Sequence, residues 1–305
     1  MALFPFDDRD GSIWLDGTLV PWRDVRLHVL SHGLHYASTV FEGERAYGGT
    51  IFRLRDHTNR LLQSARILGF EIPWTPDQID AACDAVVAAN GLTDAYVRPI
   101  AWRGAEAMGV SPTGTSTHLA IAAWRWDSYF DTDRMAGVPL AQATWKRPAP
   151  DTAPTASKCS GLYVIASMAR QQAEAEGCAD ALMLDWRGQV AESTGANVFL
   201  VIDGALHTPT ADCFLDGITR RTVMRLAGRN QIKVVERPIE AHEIARATEV
   251  FLAGTAAEIT AVRRIGPHHF TPGAITERLM KDYDALVRQP AATVAALLNA
   301  SRGPG

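Results

Sequence analysis

The most informative segment of this chain is Thr155-Ala156-Ser157-Lys158-Cys159-Ser160-Gly161, a run of small residues around a single lysine. A lone lysine is usually a solvated surface charge. Lys158 differs because its small neighbours would let a bulky planar ligand lie close to the backbone. Since a neutral lysine amine attacks aldehydes, we predict that Lys158 anchors a carbonyl-bearing cofactor.

Three further segments supply the other groups that such a cofactor needs. Glu192 ends a predicted strand, Asp216-Gly217-Ile218-Thr219 opens a predicted helix, and Gly254-Thr255 forms a predicted turn. Helix N-termini bind phosphate, and a carboxylate facing a pyridine nitrogen keeps that nitrogen protonated. Taken singly, the segments are a turn carboxylate, a helix with a side-chain cap and an ordinary hairpin turn. Together with Lys158 they predict pyridoxal 5′-phosphate as the cofactor.

The composition is that of an ordinary globular protein. The 305 residues are 47% hydrophobic and 21% charged, with a formal net charge of −4. This length suffices for two domains with buried cores. The weak negative charge argues against nucleic acid or an anionic membrane as the main partner, so we expect small-molecule partners.

The cysteines and the N-terminal segment exclude several classes of protein. The four cysteines show no Cys-x-x-Cys or Cys/His ligand spacing, so we predict neither a disulfide framework nor a metal site. The N-terminal segment lacks the basic and apolar regions of a signal peptide. No apolar run approaches the ~20 residues of a membrane span. We therefore expect a cytoplasmic protein without a membrane partner.

The first part of the chain shows hairpin signals followed by helical periodicity. Asp16-Gly17 and Gly48-Gly49 predict two hairpin turns, the second joining strands 39–47 and 50–54. Further elements are predicted as helices 56–68 and 76–90 and strands 95–102 and 118–124. We assign residues 1–126 to a smaller N-terminal α/β domain. Residues 127–139 carry Asp, Ser, Gly and Pro without a period and are assigned to an interdomain linker.

The second part, residues 140–305, is predicted to be the larger, cofactor-binding domain. Its patterns predict helices 160–176, 218–230, 273–287 and 290–300, and strands 248–253 and 258–263 on either side of the Gly254-Thr255 turn. Hairpins alternate with helices throughout. The sequence therefore predicts an α/β (α+β) protein of two domains, with the active site in the cleft between them.

Two arginines of the first part are candidate binding residues. Arg60 borders the apolar stripe of its predicted helix, so it either lies along the surface or clamps a phosphate. Arg98 interrupts an apolar strand, so it either pairs with a buried carboxylate or faces a ligand carboxylate. Several aromatic residues are core residues by default or line a substrate pocket: Tyr36, Phe41, Trp124, Trp126 and Tyr129.

In combination, these motifs resemble the branched-chain amino acid aminotransferases of the class IV, fold type IV pyridoxal-phosphate family. The similarity runs from about Ile13 to about Arg264. Besides the segments above, it rests on the following N-terminal motifs: Leu30-Ser31-His32-Gly33-Leu34-His35-Tyr36, Val40-Phe41-Glu42-Gly43, His57 to Arg60, Tyr96-Val97-Arg98-Pro99 and Met108-Gly109-Val110. The resemblance implies the two-domain fold of D-amino acid aminotransferase.

The resemblance also implies cofactor-binding roles. Lys158 is expected to form the Schiff base, Tyr163 to bond the cofactor's phenolic oxygen and Glu192 its ring nitrogen. The phosphate-binding and ring-packing residues are expected to be Arg60, Leu215, Gly217, Ile218, Thr219 and Thr255. Lys158 would be the catalytic residue.

The implied substrate site draws on both parts of the chain. The Tyr96 hydroxyl and the backbone of Thr255 and Ala256 are expected to receive the substrate carboxylate. The side-chain pocket is expected to include Phe41, Gly43, Trp126 and Tyr129, with Arg98 for a second carboxylate. Tyr36 and Val110 match positions that family members lend to a neighbouring subunit, which implies a homodimer or a larger homo-oligomer.

The implied reaction moves an amino group between L-leucine, L-isoleucine or L-valine and 2-oxoglutarate. Alternatives with the same fold are D-amino acid aminotransferase, (R)-amine transaminase and aminodeoxychorismate lyase; a non-catalytic pyridoxal-binding protein is the alternative of another class. The Tyr96–Pro99 and Val40–Gly43 motifs favour the branched-chain enzyme. The chain departs from its relatives at Cys159, at Asp216 and at Glu44, where an apolar residue is more usual.

Overall fold

A computed structural model of the chain describes residues 5–126, 129–130 and 133–299. The chain divides into two compact units, Met1–Asp127 with Ser157–Gly161, and Ser128–Ala156 with Leu162–Gly305. We call them the N-terminal and the C-terminal unit. The segment that carries Lys158 thus belongs to the N-terminal unit, although it follows the predicted linker. Of that linker, residues 127, 128, 131 and 132 lie outside the described residues.

The N-terminal unit contains a seven-stranded sheet with strand order β2-β1-β7-β6-β4-β5, in which β3 also pairs with β6. Every pairing is antiparallel. The bounds are β1 Ser12–Leu15, β2 Thr18–Pro21, α1 His32–Tyr36, β3 Thr39–Phe41, β4 Glu44–Tyr47, β5 Thr50–Ile51, α2 Leu54–Ile67, α3 Pro76–Ala89, β6 Ala95–Arg103 and β7 Thr117–Arg125.

The helices of this unit follow the apolar periodicity of the sequence. Leu61, Leu62 and Ala65 form the buried stripe of α2. Thr75 caps α3 in a capping box with Gln78, which fixes where that helix begins. Both helices therefore lie within two residues of their predicted bounds.

The predicted strand 39–47 is interrupted in the structure. β3 ends at Phe41 and β4 begins at Glu44, although both pair with β6. The interruption falls at Glu42, whose buried carboxylate is bonded to side chains of α2. The predicted strand 50–54 is also wrong beyond Ile51, because α2 begins at Leu54.

The C-terminal unit is built on a nine-stranded mixed sheet with strand order β10-β9-β8-β15-β14-β11-β12-β13, and β16 beside β15. Its elements are β8 Val138–Gln142, α4 Tyr163–Ala175, β9 Asp180–Leu184, β10 Val190–Ser193, β11 Asn197–Ile202, β12 Ala205–Thr208, α5 Ile218–Arg229, β13 Val234–Glu236, β14 Glu249–Gly254, β15 Glu258–Ile265, β16 His268–His269, α6 Ala274–Leu286 and α7 Ala291–Asn299.

Part of this sheet closes on itself. β10 pairs with β9 at one side and with β11 at the other, so β8, β9, β10, β11, β14 and β15 form a ring. The pair that closes the ring is Glu192 with Asn197. Aliphatic residues of these strands, such as Leu140, Leu200 and Leu252, are buried in one core cluster. Because the sheet is closed and side chains fill its interior, the backbone of the closing pair is held in place.

The predicted helix 160–176 begins later than expected. Residues Ser160–Leu162 form a 3₁₀ turn, and the α-helix starts at Tyr163. The predicted helices 218–230, 273–287 and 290–300 match α5, α6 and the described part of α7 within one residue at each end. No described helix is long and apolar enough to cross a membrane.

Candidate active site

Lys158 is held firmly by its backbone in the N-terminal unit. Its N–H donates to the Ser64 hydroxyl of α2 at 3.0 Å, and its carbonyl accepts from the Phe41 N–H at 3.1 Å. The neighbouring Ser157 hydroxyl donates to the Ser64 carbonyl at 3.0 Å. The half-buried Lys158 side chain places Nζ 4.9 Å from the centre of the Phe41 ring. The amine therefore stands at a fixed place beside an aromatic face.

The rings of Phe41 and Tyr96, with the Arg98 guanidinium lying against both, form an aromatic wall beside Lys158. The Arg98 guanidinium lies 4.7 Å from the centre of the Phe41 ring and donates to the Tyr96 hydroxyl at 3.1 Å. The Tyr96 ring packs on Trp126, with ring centres 4.9 Å apart. No carboxylate of the described residues pairs with Arg98. The alternative in which Arg98 pairs with a buried carboxylate is therefore not seen there.

Gly43 is required by this wall. A Cβ at position 43 would collide with the Tyr96 hydroxyl. A larger residue would therefore push the Tyr96 hydroxyl away from Arg98.

The Arg60 guanidinium binds the buried carboxylate of Glu42, for which no role was predicted from the sequence. Its Nε and Nη2 donate to the two oxygens of Glu42 at 2.6 and 2.8 Å, and His57 Nδ1 lies 2.8 Å from the same carboxylate. Burial raises the pKa of Glu42, but Arg60 and His57 outweigh it and hold that pKa far below its usual range. Burial also lowers the pKa of His57. The signal was present as a glutamate in an apolar strand and a histidine three residues before an arginine.

In the C-terminal unit, Glu192 lies on β10 with both carboxylate oxygens engaged. Arg147 Nε is 3.5 Å from Oε1, and Asn197 Nδ2 donates to Oε2 at 3.3 Å. Arg147 and Asn197 are both buried. Sequence reasoning missed both contacts, because Arg147 is far from Glu192 along the chain and Asn197 was part of the motif without a role.

The N-terminus of α5 has no side-chain cap. Gly217 is the N-cap residue and has no side chain that could bond to the first turn. Asp216 instead accepts from Arg220 at 2.8 Å, so the alternative of simple capping is not observed. A buried Thr219 stands in the first turn. This end of α5 can therefore accept an anion from outside the helix.

The Gly254-Thr255 turn lies beside the strand hairpin that carries Glu192. A Cβ at Gly254 would stand 3.0 Å from the Cβ of Ala196, so glycine permits the close packing of β14 on this hairpin. Thr255 and Ala256 follow in the turn between β14 and β15, half-buried. The turn therefore lies against the β10–β11 hairpin within this unit.

The remaining candidate residues are Tyr163, Leu215, Tyr129, Tyr36 and Val110. Tyr163 is the first residue of α4 and Leu215 is half-buried ahead of α5. The Tyr129 hydroxyl accepts from Arg170 at 3.2 Å in the C-terminal unit. Tyr36 and Val110 are exposed in the N-terminal unit.

Comparison with known proteins identifies the family of this chain. Residues 39–265 match the family described as amino-transferase class IV. The chain belongs to this family. It is 42% identical to a branched-chain-amino-acid aminotransferase of Pseudomonas aeruginosa over 288 residues, which are 92% of this chain and 94% of that protein.

Solved structures agree. The branched-chain aminotransferase of Thermoproteus uzoniensis, solved with norvaline, has a TM-score of 0.88 and 38% identity, covering 92% of this chain and 95% of its own. The branched-chain amino acid aminotransferase of Thermobaculum terrenum, solved in its pyridoxal-phosphate form, has a TM-score of 0.85 and 29% identity, covering 95% and 97%. The resemblance and the predicted fold are confirmed. Because class IV aminotransferases use pyridoxal 5′-phosphate for transamination, the predicted enzyme class and cofactor are confirmed as well.

The residues of the chain fit this cofactor. The N-terminus of α5, with Gly217 as its N-cap residue and Thr219 in its first turn, suits the phosphate, and the half-buried Glu192 carboxylate suits a protonated ring nitrogen. Lys158 supplies the amine with which the cofactor's aldehyde would react. Three hydrogen bonds made by Ser157 and the Lys158 backbone hold this segment in place.

Proposed function

We propose that this class IV aminotransferase moves the amino group between L-leucine, L-isoleucine or L-valine and 2-oxoglutarate. The observation that carries the proposal is the aromatic wall beside Lys158, formed by Phe41 and Tyr96 with the Arg98 guanidinium on it. An apolar wall stabilises an aliphatic side chain by burial. A guanidinium on the same wall pairs with the side-chain carboxylate of glutamate.

The cofactor-binding residues are assigned from the family motifs and supported by their surroundings. Pyridoxal 5′-phosphate supplies an aldehyde and an electron sink when bound. The Lys158 amine would hold it and then carry the proton that leaves the substrate's α-carbon. Glu192 would keep a proton on the ring nitrogen, and Tyr163 would bond the phenolic oxygen. The phosphate would be held by Arg60, Gly217, Ile218, Thr219 and Thr255, with Leu215 on the ring.

The substrate-binding residues follow the same assignment. The Tyr96 hydroxyl and the backbone of Thr255 and Ala256 would hold the α-carboxylate. Phe41, Gly43, Trp126 and Tyr129 would surround the side chain. Tyr96 supports this role because its hydroxyl already accepts from Arg98 and is therefore fixed in direction.

The assembly is proposed to be a homodimer at least. The N-terminal unit exposes a set of large apolar residues that a second copy would cover: Leu27, Val29, Leu30, Leu34, Tyr36, Met108 and Val110. Val110 is the most exposed of them, at 82%. Tyr36 and Val110 would then reach the neighbouring subunit's substrate site. A cytoplasmic location stays a prediction.

The test is an assay of purified protein with L-leucine and 2-oxoglutarate, followed by glutamate formation. We expect glutamate to form with L-leucine, L-isoleucine and L-valine as donors. Formation only with D-amino acids or (R)-amines, or release of pyruvate from aminodeoxychorismate without an amino acceptor, would replace the proposal by one of the alternatives with the same fold.

A further inference from the structure

The Asn197 side chain contacts three parts of the C-terminal unit to which cofactor contacts are assigned. Its Nδ2 donates to Glu192 Oε2 at 3.3 Å and to the Leu215 carbonyl at 3.1 Å. Its Oδ1 occupies the space that a Cβ of Gly217 would need. The two acceptors fix the direction of the amide, because an oxygen in the place of Nδ2 would face both of them.

The backbone of Asn197 is equally well fixed. Asn197 pairs with Glu192 at the closure of the strand ring and with Ala253 of β14 at the other side. Ala253 precedes the Gly254-Thr255 turn. The residue is 5% exposed, so its amide makes these contacts away from water. In a buried setting, an amide that loses its acceptors costs more than the hydrogen bonds themselves.

Arg147 completes the arrangement around Glu192. Its side chain is buried, and its Nε lies 3.5 Å from Oε1, the oxygen that Asn197 does not contact. Nε has no hydrogen-bond partner among the described residues. The Arg147 guanidinium attracts the Glu192 carboxylate by its charge, while Asn197 gives the carboxylate its direction.

We propose that Asn197 is a positioning residue that ties the Glu192 carboxylate to the Leu215–Gly217 segment. It thereby sets the spacing between the acceptor for a ring nitrogen and the helix end that receives a phosphate. The ligand class is a flat pyridinium that carries a phosphate ester. The inference rests on the roles proposed above for Glu192 and α5.

The chemistry explains why asparagine stands here. Glu192 and the Leu215 carbonyl are both acceptors, so the residue between them must donate two hydrogen bonds from one atom. Aspartate would present an acceptor to two acceptors, and alanine would remove both of these hydrogen bonds. Gly217 belongs to the same arrangement, because a side chain at position 217 would displace Asn197 Oδ1.

The test measures binding of pyridoxamine 5′-phosphate to the purified full-length chain after its cofactor has been removed. This probe has no aldehyde, so its binding does not depend on bond formation at Lys158. We expect Asn197→Ala to weaken binding on the order of tenfold and Asn197→Asp to weaken it further. Unchanged binding by Asn197→Ala would overturn the proposal.

The matched control is Asn230→Ala. Asn230 Nδ2 likewise donates to a backbone carbonyl, that of Leu226 at 2.9 Å, and to a carboxylate, that of Asp282 at 2.6 Å. It therefore loses the same kinds of contact at the other end of α5. We expect Asn230→Ala to bind the probe like the wild type, and an equal loss there would mean that Asn197 acts only through general stability.

A double-mutant cycle with Glu192→Ala separates positioning from a merely structural role. If Asn197 acts through Glu192, the combined loss of affinity is smaller than the product of the two single losses. Independent losses would overturn the proposal. Should Asn197→Ala fail to fold, Gly217→Ala approaches the same amide from the other side and should weaken binding, whereas unchanged binding by Gly217→Ala would overturn the proposal.

No substrate is present in this measurement, so a failure of the proposal for Asn197 can be distinguished from a failure of the proposed function. A wild-type chain that binds the probe but does not transaminate L-leucine would overturn the substrate assignment and leave the role of Asn197 standing. A wild-type chain that does not bind the probe would overturn both.

Discussion

Glu44, at a position where we expect an apolar residue from the family resemblance, is a case in which the structure shows the consequence of burying one carboxyl group. Its side chain is fully buried on β4. Burial raises the pKa of Glu44 well above its usual range, and the nearby charges of Glu42 and Asp80 raise it further. The Cys83 thiol and the Arg60 charge act in the opposite direction but do not outweigh burial. Folding therefore favours the neutral form of the Glu44 carboxyl.

The sign of the resulting pH dependence follows directly. The unfolded chain loses the Glu44 proton near the usual pKa of 4.5, whereas the folded chain loses it only at a higher pH. The free energy of unfolding therefore falls as pH rises above 4.5, by up to about 1.4 kcal/mol per pH unit until the folded pKa is reached. Glu44→Gln removes this loss, so we expect the variant to gain stability over the wild type between pH 5 and pH 8.

Denaturant unfolding at the two pH values checks this prediction, with the exposed Glu71→Gln as control. The control should show no such gain. An equal difference between Glu44→Gln and the wild type at pH 5 and pH 8 would show that Glu44 does not carry the buried proton.

Arg98 is the residue on which we propose that the acceptance of two kinds of substrate depends. Its guanidinium lies on the Phe41 ring and donates to the Tyr96 hydroxyl. Arg98→Leu keeps an apolar surface but removes the partner of a second carboxylate. We expect kcat/KM to fall on the order of a hundredfold for 2-oxoglutarate, with a much smaller loss for 4-methyl-2-oxopentanoate in the same assay. Equal losses for the two oxo acids would contradict this role.

At the scale of elements, the sequence predicts what depends on neighbours along the chain. The bounds of α2, α3 and α5 follow from apolar periodicity, from the Thr75 cap and from Gly217, all of which are local signals. The packing of the Lys158 segment on Ser64 was not predictable, because it joins residues 94 positions apart. The ring closure at Glu192 and Asn197 was missed for the same kind of reason, since it depends on strands that meet only in the folded chain.

The capping box of α3 provides a stability test at this scale. The Thr75 hydroxyl accepts from the Gln78 N–H at 3.3 Å, and the Gln78 side chain accepts from the Thr75 N–H at 2.8 Å. We expect Thr75→Ala to lower the free energy of unfolding by about 1 kcal/mol. Thr75→Ser keeps the hydroxyl and should remain close to the wild type. A loss of the same size in both variants would indicate that the methyl group, and not the cap, is responsible.

At the scale of the whole molecule, the motifs identify the enzyme family but not the assembly. The order of Lys158, Glu192, the α5 end and the Gly254 turn was readable in the sequence, and the family is confirmed. The exposed apolar residues of the N-terminal unit become visible only in the folded chain. The proposal of a second copy rests on their exposure in two segments, 27–36 and 108–110.

Sedimentation at micromolar concentration tests the proposed dimer. Leu34 is 61% exposed, and Leu34→Glu places a charge within the apolar surface. Because burying an unpaired charge is costly, we expect this variant to dissociate at concentrations where the wild type is a dimer. A monomeric wild type, or a Leu34→Glu variant that associates equally well, would contradict the assignment of this surface.

The most direct test of the central claim is the absorption spectrum of the cofactor-loaded enzyme on addition of L-leucine, compared with D-leucine. The proposed function predicts that L-leucine shifts the visible band of the bound cofactor and that 2-oxoglutarate restores it with one glutamate formed per site. D-leucine should leave the band unchanged. A shift with D-leucine alone, or no shift with either amino acid, would contradict the assignment of this chain to branched-chain amino acids.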